Sequence, residues 1–107
     1  MARVVSIAED LMVASRVDTA LTSAGHHVIL ARSLAEASFD EAELIVADLD
    51  AVDPAALRGA GVPVLGYYSH VEVETKRAAD AAGIEMVVPR SRMARELPAL
   101  VERLLSG

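Results

Sequence analysis

The sequence predicts an α/β domain built on a parallel five-stranded sheet with helices on both faces. Three observations carry that reading. Short apolar, β-branched runs recur five times along the 107 residues, and each is followed by helical apolar spacing or by helix-start chemistry. The runs are apolar throughout rather than alternating, as strands buried on both faces are. Hydrophobic residues make up 53% of the chain but aromatics only 3%, and 20 residues are alanine. The core is therefore aliphatic and small, which suits helices laid closely on a sheet.

The elements follow in order. Residues 3–8 (RVVSIA) form the first strand. Leu11, Ala14, Val17, Leu21 and Ala24 then recur at helical spacing, and Gly25 stands where a left-handed cap belongs. Residues 26–31 (HHVILA) give the second strand. Ser33 to Glu36 has the S-x-x-E form of a capping box and predicts a second helix of about two turns. Residues 43–48 (ELIVAD) form the third strand, which ends on an acid. Asp53-Pro54 is an N-cap followed by proline at the first helical position, but Gly59 and Gly61 stop this third helix near Arg58, so it is short. Residues 62–68 (VPVLGYY) are the fourth strand, and Ser69 to Glu72 is a second capping box opening a helix that ends at Gly83. Residues 84–88 (IEMVV) are the fifth strand. The last helix carries Leu97, Leu100, Val101, Leu104 and Leu105, with Pro98 expected in its first turn. No linker, repeat or low-complexity segment divides the chain, so residues 1–107 read as one domain.

Right-handed crossovers between parallel strands place chemistry at the carboxyl ends of the strands. The residues there are Glu9 and Asp10, Asp48 and Asp50, Ser69 and His70, and Pro89 to Arg92.

Several function classes are excluded. The chain has no cysteine, which removes disulfides, thiolate metal sites and cysteine nucleophiles. No glycine-rich phosphate loop occurs. The N-terminus lacks the apolar stretch of a signal peptide, and no run approaches the ~20 apolar residues of a membrane span, so a cytoplasmic domain is expected. The net charge of −6 makes duplex nucleic acid and anionic membrane poor partners. That charge is uneven: residues 1–88 carry 14 acids against 6 bases, and residues 89–107 carry 4 bases against 2 acids. His26 and His27, side by side on an extended chain, point to opposite faces and read as a solvated turn. Ser69 beside His70 suggests a nucleophile and base, but no third group orients them. A small hydrolase is thus a minor alternative, and a non-enzyme is expected.

At the strand ends the chain resembles the receiver domain of two-component response regulators, a flavodoxin-like fold with strand order 2-1-3-4-5. ELIVADLD at 43–50 resembles the family's third strand and its phosphate-accepting aspartate, TSAGHHVILA at 22–31 its turn into the second strand, VPVLGYYSH at 62–70 its fourth strand, and DAAGIEMVVPRS at 80–91 its approach to the fifth. The resemblance implies Asp48 as phosphoacceptor, with Mg²⁺ held by an acidic pair after the first strand together with Asp48. Counted back from Gly25, that pair falls on Ala8 and Glu9. Glu9 and Asp48 are then the implied ligands, and Asp10 lies one position late, where it also suits a helix N-cap.

Ser69, or Tyr68 after a one-residue slip, stands at the phosphoryl-contacting hydroxyl. Val88-Pro89 replaces the family's Lys-Pro, so Arg90 is the remaining cation for the phosphoryl group, and a guanidinium is not equivalent to a lysine there. Only 15 residues separate Asp48 from Pro63, and Met86 lies near the usual aromatic switch position.

The resemblance implies a pseudo-receiver acting through protein contact with a histidine kinase or a downstream regulator, by its fourth helix, fifth strand and last helix. There Arg90, Arg92 and Arg95 suit an acidic protein surface, and a homodimer stays open. The alternative is a small-molecule or nucleotide-binding module in which Arg90 and Ser69 hold an anionic group.

Overall fold

The computed structural model describes residues 2–57, 59–69 and 73–106. Its sheet has five parallel strands in the order β2-β1-β3-β4-β5, where β1 is Arg3–Ile7, β2 His27–Ala31, β3 Leu44–Asp48, β4 Val64–Tyr68 and β5 Met86–Pro89. Val5 pairs with Ile29 on one side and Ile45 on the other, and Asp48 pairs with Tyr67. This is the flavodoxin-like arrangement expected from the sequence.

Neighbouring residues on the central strands point to opposite faces, and both faces are covered, which is why β1 and β3 read as unbroken apolar runs. One face packs Val4, Leu44, Val46, Leu65 and Tyr67 under α1 (Leu11–Ser23) and α3 (Arg90–Ser106), with Val17, Leu21, Leu97 and Leu100 as the helical side. The other packs Val5, Ile7, Ile45 and Ala47 against Leu49, Leu57 and Ala79, the last from α2 (Val73–Ala81). No helix among the described residues is long and apolar enough to cross a membrane.

The ends of α1 follow from its sequence. Asp10 has extended backbone angles, and its Oδ1 accepts from the amides of Met12 at 2.9 Å and Val13 at 3.4 Å, satisfying two donors that an α-helix leaves open. Gly25 takes φ +94°, a conformation in which a Cβ would clash, and so turns the chain into β2.

Several expectations are corrected. The second helix is not two turns but a single 3₁₀ turn at Leu34–Glu36, and Ser33 makes no side-chain cap bond. Glu36 instead reaches back to the amide of Arg32 at 3.0 Å. Phe39 packs against the core and Glu41 takes φ +80°, so the chain turns back to the sheet before a helix can extend. The third helix is as short as expected, among the described residues a 3₁₀ turn at Pro54–Leu57 started by Asp53, whose Oδ1 accepts from Ala55 at 3.0 Å. Its expected end at Arg58 lies outside the described residues.

The last helix begins at Arg90, directly after β5, so Pro98 falls inside it rather than in its first turn. Proline there withholds the N–H that would reach the Ala94 carbonyl. Burial of Met93, Leu97, Leu100 and Val101 carries the helix across that break.

Finally, His26 is not solvated. It is 5% exposed, and its Nδ1 accepts from the Ala2 amide at 3.1 Å. Its Nε2 lies 3.4 Å from Glu102 Oε1 of α3, without the alignment of a hydrogen bond. His27 is exposed on the strand, as expected of neighbours that point opposite ways. Leu11, placed on the apolar stripe by its spacing, is two-thirds exposed; Val13 takes the buried place.

Candidate functional site

The carboxyl ends of β1, β3, β4 and β5 bring Asp10, Asp48, Asp50, Ser69 and Arg90 to one end of the sheet. Asp48 closes β3, half-buried, and its Oδ1 accepts from the Asp50 amide at 2.9 Å. Asp50 in turn accepts from the Ser69 amide through Oδ2 at 2.8 Å, which fixes the loop after β4 to the loop after β3. Arg90 reaches over both. Its Nη1 donates to Ser69 Oγ at 3.3 Å, and its Nη2 donates to Asp10 Oδ2 at 3.2 Å.

Arg90 can do this because no loop separates strand from helix. Pro89 is the last residue of β5 and Arg90 the first of α3, so the side chain leaves from a fixed corner.

The electrostatics follow the geometry. Burial pushes the Asp48 carboxyl above the usual carboxylate range. The Asp50 amide bond opposes that shift, the Asp50 charge adds to it, Arg90 pulls it down and Glu9 pushes it up. Asp10 is held below the usual range, first by the amides of Met12 and Val13 and then by Arg90. Tyr67, beside Asp48 in the sheet, has its hydroxyl pushed above the ordinary phenol range by burial and then by the Asp48 charge. That hydroxyl and Ser6 Oγ are buried without a hydrogen-bond partner.

Asp48→Asn is therefore expected to stabilise the fold at neutral pH. An acid whose folded pKa is raised contributes stability that is present below its unfolded pKa and lost as pH rises through the folded value. The neutral amide removes that loss and keeps an oxygen for the Asp50 amide. Since Asp48 is only half-buried and solvent screens its charges, the gain is under ~1 kcal/mol at pH 7. Thermal melts should show a slightly higher Tm for the variant at neutral pH and no difference near pH 3. A variant less stable at neutral pH would overturn this.

The fold brings together most of the residues singled out from sequence. Arg90 faces the pocket, and Ser69 rather than Tyr68 supplies the hydroxyl that it meets. His70, Val71 and Glu72, and with them the second capping box and the Ser69–His70 pair, lie outside the described residues.

The expected metal ligands do not fit together. Asp10 spends one oxygen on capping α1 and offers the other to Arg90. Glu9 is exposed. Among the described residues no three His, Cys, Asp or Glu side chains group so as to hold a metal ion. A guanidinium sits beside the carboxylates where a hard divalent cation would need oxygen donors.

Of the basic cluster on α3, Arg92 pairs with Glu96 at 3.3 Å, and Arg95 lies 3.9 Å from the same carboxylate. Sequence reading missed Arg16 and Met12. They line a cleft of about 560 Å³ between α1 and α3, together with Val17, Met93, Leu97 and Arg90. Its only signal in the sequence was the paired apolar stripes of the two helices.

No family model and no curated protein matches this sequence. Solved structures do match. A CheY-like response regulator receiver domain protein from Methanospirillum hungatei superposes with a TM-score of 0.88 at 17% identity, covering 99% of this chain and 94% of that one. The chain has the fold of a response-regulator receiver domain. A two-component response regulator from Clostridium difficile gives 0.86 at 18% identity over 99% and 97% of the two chains. The Vibrio cholerae chemotaxis protein CheY4 gives 0.82 at 21% over 98% and 99%. Among the described residues, the connections from β2 to β3 and from β3 to β4 each carry a single 3₁₀ turn.

Proposed function

We propose that this chain is a receiver-type signalling domain that acts by protein contact rather than as an enzyme, with Asp48 in the phosphoacceptor position of an incomplete pocket. The observation that carries the reading is the bridge from Arg90 to Asp10 and Ser69. One fixed cation already neutralises part of the acidic cluster and already engages the hydroxyl that would otherwise report a phosphoryl group. Charge stabilisation of a transferring phosphoryl group needs cations aimed at its oxygens. Here Val88 occupies the place of the lysine and is buried in the core.

Phosphoryl transfer to Asp48 is accordingly slow or absent, Mg²⁺ binds weakly, and the domain is held in one signalling state. The partner is a histidine kinase or a downstream regulator with an acidic contact surface, met by α2, β5 and α3, where Arg90, Arg92 and Arg95 lie on the first turns of α3. The setting is cytoplasmic.

Incubation with acetyl phosphate or beryllofluoride and Mg²⁺ tests this. Intact mass and amide spectra are expected to show no stable adduct and little change. A clear adduct that disappears in Asp48→Asn would show a complete pocket and overturn the reading.

The α1–α3 cleft favours a second reading, an anion-binding module. It joins an apolar floor to Arg16 and Arg90, and its volume lies within the ~300–1,000 Å³ of small-molecule sites. A specific small anion raising Tm by several degrees would favour that reading over protein contact.

A further inference from the structure

We propose that the outer edge of β2 pairs antiparallel with the same edge of a second copy of this chain, joining two sheets across a two-fold axis at Ile29. Among the described residues, β2 is an edge of the sheet, bonded only to β1. The ladder to β1 uses the backbone of alternate residues: the His27 amide donates to Ala2 at 2.9 Å, and the Ala31 carbonyl accepts from Ala8 at 3.0 Å. The N–H and C=O groups of Val28 and Leu30 therefore point outward. The next outward N–H, that of Arg32, is already taken by Glu36. The open edge is thus two residues' worth of donors and acceptors, closed off at one end by the chain's own carboxylate.

Three features fit a second copy to this edge. The strand HVILA carries no Asp, Glu, Lys or Arg, no proline and no bulge, the devices that usually keep edges apart. Its large side chains are open, with Ile29 41% and Leu30 49% exposed. Ile29 shares its face with Ala31, which is buried in the cluster beneath α2 and the 3₁₀ turns, and only the single turn Leu34–Glu36 stands where a longer helix would cover it. The strand is also self-complementary. With the axis at Ile29, Val28 of each copy lies opposite Leu30 of the other, each such pair exchanges two hydrogen bonds, and Ile29 meets Ile29. No like charges face one another within the strand.

The pairing is weak by construction. One short strand per copy falls below the ~1,200 Å² of a stable interface. Two copies at −6 each also repel at long range, so association strengthens with salt.

Sedimentation of the full chain up to about 1 mM is expected to show a monomer–dimer equilibrium that tightens between low and moderate salt. Hydrogen exchange should slow at the Val28 and Leu30 amides as concentration rises. Leu30→Lys, which sets a charge at a half-exposed position, and Val28→Pro, which removes an outward N–H but also trims a side chain partly packed on the core, are each expected to weaken the dimer by about tenfold or more, with circular dichroism checking that each variant is folded. Ile29→Lys serves if the proline variant does not fold. A chain monomeric throughout, or a dimer equally strong in the folded variants, overturns the proposal. So does an extended peptide of another protein protecting Val28 and Leu30 where the chain alone never associates.

Discussion

Gly66→Val is expected to lower stability by about 2–3 kcal/mol, and Tm by roughly 10–20 °C. Gly66 lies in the middle of β4 between Ala47 and Val87. A Cβ placed there would stand 2.6 Å from Leu49 Cδ1 and 3.0 Å from its Cγ. Leu49 is 6% exposed and folds over the strand from the loop after β3, with its amide held by the Tyr67 carbonyl at 2.8 Å. Rotating its tip is not enough, because the Cγ at 3.0 Å and Cδ2 at 3.2 Å must also give way inside a packed core. Valine is otherwise the better strand residue, so the sign of the result decides whether the close approach governs. Leu49→Ala should remove most of the added cost, giving a double-mutant coupling above ~1 kcal/mol in denaturant melts. A single variant as stable as the parent would show that Leu49 has room to move. Because Leu49 follows Asp48 directly, the same substitution should also shift the amide signals of Asp48 and Asp50.

Leu100→Ala is expected to cost about 3 kcal/mol. Leu100 is 1% exposed in the cluster that joins α1, α3 and the sheet. It also lies two residues past Pro98, where α3 has one fewer internal hydrogen bond to rely on. Truncation removes packing where the backbone is least able to compensate, so the loss should exceed that of Leu104→Ala, whose side chain is only partly buried. Leu100→Met should cost under ~1.5 kcal/mol, separating cavity from shape. Equal losses at 100 and 104 would place the weight of α3 elsewhere.

The five strands were legible because burial on both faces writes itself into sequence as unbroken apolar runs, and their order came with the resemblance at the strand ends. Asp53, Asp10 and Gly25 announced helix boundaries through chemistry local to the backbone. The misread elements depend on distant partners. Ser33 to Glu36 had the right capping letters, but Phe39 draws the following chain into the core before a second turn can form. His26 looked like a turn residue, and only the fold brings Ala2 and Glu102 to its two nitrogens. Pro98 suggested a late start for α3, whereas apolar burial on both sides of it outweighs one missing bond.

At the site, position was legible and engagement was not. The strand ends named Asp10, Asp48, Ser69 and Arg90. That Arg90 would join Asp10 across 80 residues of chain is a fact of the β5–α3 corner, which no local pattern encodes.

Two polar approaches flank the apolar packing between α1 and α3, at opposite ends of the sheet. Arg90 meets the cap of α1 at one end, and His26, just past the exit of α1, stands by Glu102 at the other. The helices are thus joined by one ion pair at the site end and by apolar packing along their length. Among the described residues, the opposite face has one nine-residue helix and two single turns. The domain consequently has a stiff side and a soft side. With fewer helical hydrogen bonds on the soft side, hydrogen exchange is expected to be faster at the amides around Leu34 and Leu57 than in the α1–α3 layer.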